Sequence, residues 1–144
     1  MMLGNKNNLE YHKKLLEFCD ENNLNEIVIF YGHVENINEF YAISDIFLFA
    51  SIVEGFPNAC LEAMSTGLPI IIKNIENVTN HIVNGTNGFE IETPIEMAEK
   101  IIECISNISF CETLGENSRN LAISKYSEEY INDMYIEYFK SFDS

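Results

Sequence analysis

From about Asn7 to Asn22 the apolar residues Leu9, Leu15, Leu16 and Phe18 recur among Glu and Lys at helical spacing, and Asn22-Asn23 supply a stop signal. An amphipathic helix is expected there. Glu26 to Tyr31 (EIVIFY) is nearly continuous in β-branched and aromatic residues and ends at Gly32, the pattern of a strand covered on both faces in a parallel sheet. A short helix around Ile37 to Ser44 leads to a second buried strand, Ile46 to Ala50, and then to a loop, Ser51 to Pro57. Asn58 to Thr66 reads as a helix with Pro57 near its first position and Gly67 just past its end, the usual asymmetry of helix punctuation.

Pro69 introduces a third strand, Ile70 to Ile72, and the segment around Val78 to Val83 has helical character. Asn84-Gly85 and Asn87-Gly88 are turn signals, Phe89 to Ile91 reads as a fourth short strand, and Thr93-Pro94 with Glu96 has the form of a helix start. Helices near Pro94 to Asn107, Phe110 to Lys125 and Ser127 to Phe142 complete the chain. Short apolar strands alternating with helices predict an α/β fold, a Rossmann-like and mainly parallel sheet flanked by helices. No repeat, low-complexity tract or linker divides residues 1–144, so one domain is expected.

Charge narrows the function. Eight Lys and Arg against 23 Asp and Glu give a net charge of -15, and Arg119 is the single arginine. A nucleic-acid binder needs a basic face to replace phosphate counterions, and docking on anionic lipid needs basic clusters; neither is expected. The four cysteines, at 19, 60, 104 and 111, contain no C-x-x-C pair and no His at ligand spacing. They read as reduced, mostly packed thiols, with no zinc or redox motif. No apolar run approaches the length of a membrane span, and Met1 to Asn8 lacks the regions of a signal peptide. A cytoplasmic location is expected.

Ligands of doubly wound sheets sit outside the carboxyl ends of the strands, in the loops that lead to helices. The stretch from Ser51 to Pro69 crosses such a place, running from a strand through a helix to the next strand. Gly55 permits close backbone approach, and the N–H groups of Asn58, Ala59 and Cys60 at the helix start form a candidate anion site for a phosphate or diphosphate. Glu54 lies on the loop ahead of that site and Glu62 about one turn into the helix. Carboxylates there can accept hydrogen bonds from polyol hydroxyls while the backbone holds phosphates, a layout suited to a sugar nucleotide.

These residues resemble a motif of the retaining glycosyltransferases of family 4 (group 1), which have the two-domain GT-B fold. The pattern S-x-x-E-G-F-(P/G)-x-x-x-x-E-A-(M)-(A/S)-x-G-x-P of their C-terminal domain stands here as Ser51, Glu54, Gly55, Phe56, Pro57, Glu62, Ala63, Met64, Gly67 and Pro69. Val28 to Val34 resembles the family's strand and glycine turn, Tyr41 to Phe47 its Y-x-x-A-D segment, and Asn84 to Phe89 its N-G-x-x-G-(F/L) turn. The resemblance runs from about residue 3 to the end. It implies that Glu54 contacts the transferred sugar, nearest to a catalytic role, and that Glu62 binds the ribose hydroxyls. Gly55, Phe56, Pro57, Asn58 and Ala59 would present backbone N–H groups to the sugar and diphosphate, and Gly32, His33 and Val34 would line the base pocket. The family usually needs no metal, so none is expected, and no cofactor beyond the nucleotide-sugar substrate.

A complete enzyme of this family also has an N-terminal acceptor domain, and its donor domain opens with a strand and loop whose Arg and Lys clamp the diphosphate. Met2-Leu3-Gly4-Asn5 resembles the end of the second donor-domain strand, so the acceptor domain and both basic residues are expected to be missing from this chain. In the family's strand order two absent strands would lie between Glu26–Phe30 and Ile46–Ala50. The remaining sheet would re-pair or stay open, with exposed edges that favour association.

Each feature also has a plainer reading. Isolated, Glu54 or Glu62 would be a solvated charge or a helix-dipole partner, and the surrounding motif argues otherwise. Lys73, just after a strand, reads as a surface lysine rather than a phosphate ligand. His33 reads equally well as a base contact or a solvent-facing imidazole, and His12 and His81 as surface residues. Tyr130, Ile131, Met134, Tyr135, Tyr138 and Phe142 form a wide apolar stripe, read as packing. In the family this last helix, 127–144, crosses back onto the N-terminal domain, so part of the stripe would be exposed without it. Glu90, Glu92, Glu96 and Glu99 read as a solvated face.

The main reading is therefore a truncated or split donor-binding domain of a hexosyltransferase of polysaccharide or lipid-linked glycan synthesis, inactive alone and membrane-peripheral at most when complete. The alternative is a non-catalytic remnant or subunit that binds nucleotide sugar or a partner supplying the acceptor half. A doubly wound regulatory module without sugar chemistry is a third reading, which the glutamate pair and the Gly-Phe-Pro loop oppose.

Overall fold

Elements form where the apolar pattern predicts them, and a few residues of special backbone geometry set their ends. The structure, a computed structural model, describes residues 1–3, 9–51, 57–75 and 81–142. It divides into two compact units, Met1–Glu39 and Phe40–Ser144.

In the first unit, β1 (Met2–Leu3) pairs in parallel with β2 (Phe30–Gly32), in register Met2 to Phe30 and Leu3 to Gly32. Helix α1 (Leu9–Glu21) lies between them in sequence. Its end is the predicted asparagine stop: Asn23 takes φ +56°, Leu24 N–H donates to the Cys19 carbonyl at 2.8 Å and Asn23 N–H to Asp20 at 3.2 Å. That pair of bonds is a Schellman cap with asparagine in the left-handed position. The expected strand from Glu26 is shorter than its apolar run. Ile27 and Val28 N–H groups both donate to the Leu24 carbonyl, so the turn after α1 consumes the first residues of the run. Ile27 is 72% exposed and Tyr31 faces solvent too, so this strand is not covered on both faces. His12 packs its ring edge-on against Phe30, centroids 5.3 Å apart, rather than standing free on the surface.

The second unit holds a parallel three-stranded sheet in the order β3 (Phe47–Phe49), β4 (Ile70–Lys73), β5 (Gly88–Ile91). Phe47 pairs with Ile70, and Ile70 with Gly88. Helix α2 (Ile37–Ala42) precedes β3, and α3 (Asn58–Ser65) connects β3 to β4. Helices α4 (Pro94–Ser106), α5 (Ile108–Tyr126) and α6 (Glu128–Lys140) follow. The central strand is buried throughout its isoleucines, as expected for parallel sheet covered on both faces. Strand alternation puts Ile71 with Phe89, Ile91, Cys104 and Leu114 in one apolar cluster and turns Ile70 and Ile72 to the other face. Helix α3 packs on β3, β4 and α5, and α4 on β4 and β5. The parallel sheet flanked by helices is the fold the sequence predicts.

Helix α3 ends as its punctuation implies. Gly67 takes φ +86°, Leu68 N–H donates to Ala63 at 3.2 Å and Gly67 N–H to Met64 at 2.9 Å, a second Schellman cap and one that only glycine enters without strain. The expected helix at Val78–Val83 falls partly on residues 76–80, outside the described residues, and His81–Val83 is irregular. There Asn87 replaces helical bonding: its side chain accepts from Val83 N–H at 2.7 Å and donates to the His81 carbonyl at 3.0 Å. His81 is consequently buried, edge-on to Tyr126, not on the surface. Among the described residues, no helix is long and apolar enough to cross a membrane.

Candidate functional site

Helix α3 and the residue before it carry Pro57, Asn58, Ala59 and Glu62 of the predicted site. Glu54, Gly55 and Phe56 lie outside the described residues. Pro57, the residue preceding the helix, is buried, and having no side-chain acceptor it makes no capping bond. Helices α4, α5 and α6 differ: Thr93, Asn107 and Ser127 each accept a hydrogen bond from a first-turn N–H. The first turn of α3 contains no acidic residue either. Among the described residues, its N-cap and first turn supply no side-chain anion to its positive end, which is the electrostatic condition for holding an external one.

One part of the expected anion site is corrected. Cys60 N–H donates to the Pro57 carbonyl at 2.8 Å, because the tightened first turn closes an early bond. It is committed within the helix, and the expected backbone donors in this turn reduce to the N–H groups of Asn58 and Ala59. Asn58 is exposed and Ala59 half-buried.

Glu62 sits on the exposed side of α3 and has a partner that sequence reasoning did not assign. The hydroxyl of Tyr41, from α2, lies 3.1 Å from Glu62 Oε2 and 3.3 Å from the Ala59 carbonyl oxygen. Tyr41 is buried, its ring edge-on to Phe47 of β3. Burial first, and then the hydrogen bond and charge of Glu62, hold its phenol well above the usual tyrosine range, so it remains a neutral donor to the carboxylate. The signal was present in the Y-x-x-A-D segment, but nothing in linear sequence says that its tyrosine reaches a helix 21 positions on.

The lone arginine is placed away from the start of α3. Arg119 Nη1 donates to the Ser65 carbonyl at 3.0 Å, at the C-terminal end of the helix, where a cation complements the dipole. Lys73 is half-buried at the carboxyl end of β4, the edge where ligands of parallel sheets bind. In the first unit Gly32 closes β2 with φ +74°, His33 is exposed on the following turn, and Val34 is half-buried. Among the described residues, no three His, Cys, Asp or Glu side chains gather as a metal site. Cys19, Cys60 and Cys104 are buried and Cys111 is half-buried, none of them in a disulfide; Thr93 and Glu96 form a capping box, so Glu96 is more than a solvated charge.

Comparison with known proteins places this geometry. The chain is 34% identical over 109 residues to the capsular polysaccharide biosynthesis glycosyltransferase CapM of Staphylococcus aureus, covering 74% of this chain and 29% of that protein. It is 31% identical over 143 residues to alpha-galactosylglucosyldiacylglycerol synthase of Streptococcus pneumoniae, covering 95% of this chain and 35% of that one. The chain thus spans about a third of the length of these relatives. Among solved structures, a glycosyltransferase of Rickettsia africae superposes with TM-score 0.86 at 25% identity, over 97% of this chain and 38% of that one. HepE of Anabaena, in complex with UDP and glucose, gives 0.83 at 25% identity, over 96% and 39%. The α/β architecture matches GT-B glycosyltransferase structures. The family profile for glycosyl transferases group 1 matches residues 2–121, and the chain belongs to that family.

Proposed function

We propose that this chain is the donor-binding C-terminal domain of a retaining hexosyltransferase, which with an acceptor domain moves a hexose from a nucleotide sugar to a glycan or lipid-linked acceptor in the cytoplasm. The observation that carries this reading is the pairing of Glu62 with a helix N-terminus that has no side-chain cap, on the loop-to-helix segment after a parallel strand. The Asn58 and Ala59 N–H groups would face the diphosphate and the helix dipole would offset its charge. Glu62 would accept from the ribose hydroxyls. Glu54, on the preceding loop, would stand nearest the transferred sugar, where a carboxylate stabilises positive charge developing at the anomeric carbon. Gly32, His33 and Val34 would meet the base, and no metal is called for. CapM and HepE, as a glycosyltransferase of capsular polysaccharide and a binder of UDP and glucose, support the substrate class.

A second reading, a nucleotide-sugar-binding subunit without catalysis of its own, draws on the charge. At -15, and with the lone arginine held at the far end of α3, the chain offers little to neutralise a leaving diphosphate. A partner would then supply basic residues and the acceptor half, and the exposed apolar residues Tyr135 and Tyr138 of α6, with Phe142 just beyond it, would support association with it or with a second copy.

Thermal-shift titration with UDP-, GDP- and ADP-sugars tests both readings, because a ligand that binds only the native state raises its apparent stability. One nucleotide class is expected to raise the melting temperature of the wild type and not of Glu62→Ala. A wild type that melts cooperatively and responds to no donor would overturn the donor-site assignment for this chain. Binding without glycosyl transfer or donor hydrolysis would favour the second reading over the first.

A further inference from the structure

We propose that Tyr41 is a positioning residue for Glu62, fixing the carboxylate that receives the ribose of a nucleoside diphosphate and so setting the preference for ribose over its dideoxy form. The inference rests on the donor-site reading above. Its ground is the geometry between α2 and α3. A glutamate on the outer side of a helix samples many rotamers, and ordering such a side chain on binding costs affinity. Tyr41 removes that freedom beforehand. Its ring is buried and held edge-on by Phe47, so the hydroxyl is delivered to a fixed point 3.1 Å from Glu62 Oε2 and 3.3 Å from the Ala59 carbonyl.

Residues 59 and 62 are neighbours on one side of the helix, which is why one hydroxyl meets both acceptors. A phenol has a single proton, and the carboxylate is both the nearer acceptor and the charged one. Because the donor is neutral, it orients the carboxylate without cancelling its charge, as a lysine or arginine would. The ion pairs of the described residues, Lys13–Glu17, Lys14–Glu10 and Lys100–Glu103, do not involve Glu62. Tyr41 occupies one lone-pair site on Oε2, and Oε1 is left for the paired 2′ and 3′ hydroxyls of a ribose.

The test is calorimetric titration of the 144-residue chain with UDP and with 2′,3′-dideoxy-UDP, using wild type, Tyr41→Phe, Glu62→Ala and the double variant. Wild type is expected to prefer UDP. Tyr41→Phe should weaken UDP about tenfold, the cost of ordering one free side chain, and leave the dideoxy nucleotide unchanged; the double variant should bind no worse than Glu62→Ala alone. A structural role would weaken both nucleotides equally, and that result would overturn the proposal. So would a Tyr41→Phe chain with wild-type preference while Glu62→Ala loses it. If Glu62→Ala itself keeps wild-type affinity and preference, or wild type binds neither nucleotide, the donor-site reading fails and this inference with it. Should Tyr41→Phe not fold, 3-fluorotyrosine in place of Tyr41, a stronger donor of nearly equal size, is expected to tighten UDP alone; no change in preference overturns the proposal.

Discussion

Gly115 of α5 lies backbone to backbone against Gly67, the residue that ends α3: a Cβ built on Gly115 would fall on the Gly67 carbonyl oxygen and touch the Pro69 ring. The missing Cβ of Gly115 lets α5 approach the end of α3 more closely than any side chain permits, whereas a Cβ on Gly67 would meet only the Gly115 carbonyl oxygen at 3.9 Å, an ordinary contact, and glycine is needed there for its φ of +86°. Neither group that would be struck is a flexible side-chain tip, so the clash is relieved only by moving an element. Gly115→Ala is expected to destabilise the fold by about 3 kcal/mol, the upper end for an overpacked contact. Chemical denaturation of the variant checks it, and a cost below about 1 kcal/mol would mean that the helices can slide apart.

Asn87 closes the turn before β5 with both ends of its amide, and its own carbonyl accepts from Ser118 Oγ at 3.0 Å. It is buried, and so is its bond to the His81 carbonyl. Asn87→Ala removes the bonds to the Val83 N–H and the His81 carbonyl, and about 1–3 kcal/mol of stability should go with them. Asn87→Asp should be nearly as costly, because it keeps the acceptor but loses the donor. Paired urea melts of the two variants distinguish this from a simple volume effect.

The start of α4 is secured by a reciprocal pair: Glu96 N–H donates to Thr93 Oγ1 at 3.2 Å, and Thr93 N–H to Glu96 Oε2 at 3.4 Å. Glu92 N–H also donates to Glu96 Oε2, at 2.7 Å. Thr93→Ala should cost about 1 kcal/mol, and Thr93→Ser close to nothing. A fall of about 2–4 °C in melting temperature for the first variant alone would bear this out.

Alkaline pH should loosen the second unit through Cys104. Burial first, and its neighbour Cys111 next, push its thiol up to about 11 from the ordinary 9.0. A group whose folded pKa is raised contributes stability that is complete below its unfolded pKa and lost as pH rises through the folded one. The melting temperature should therefore fall between about pH 9 and pH 11, and Tyr41, also raised, extends the decline upward. Thermal melts across that range should show a shallower slope for Cys104→Ala, whatever its offset. An identical slope would assign the alkaline limb to other groups.

Local signals located most of the elements, and where they failed a competing local bond was the cause. The apolar run from Glu26 promised a longer strand than Phe30–Gly32, because the cap of α1 turns the backbone through Ile27. The anion site at α3 lost the Cys60 N–H to Pro57 for the same kind of reason. His81 was misplaced on the surface because a lone histidine between Asn80 and Ile82 carries no mark of its burial against Tyr126.

What the sequence by itself determined is what depends on neighbours in the chain. The alternation of strand and helix, the glycine and asparagine stops, and the spacing of Glu54 and Glu62 around a loop and helix start are all of that kind. Backbone preferences act over a few residues, so a string of letters contains them. Only the tertiary structure decided that Tyr41 grips Glu62, that Arg119 holds the far end of α3, and that Gly115 meets Gly67. Those contacts join positions 21 to 54 residues apart, and they exist because Tyr41, α3 and α5 are brought together against one sheet. No local preference encodes such a pairing; the burial of a shared core does.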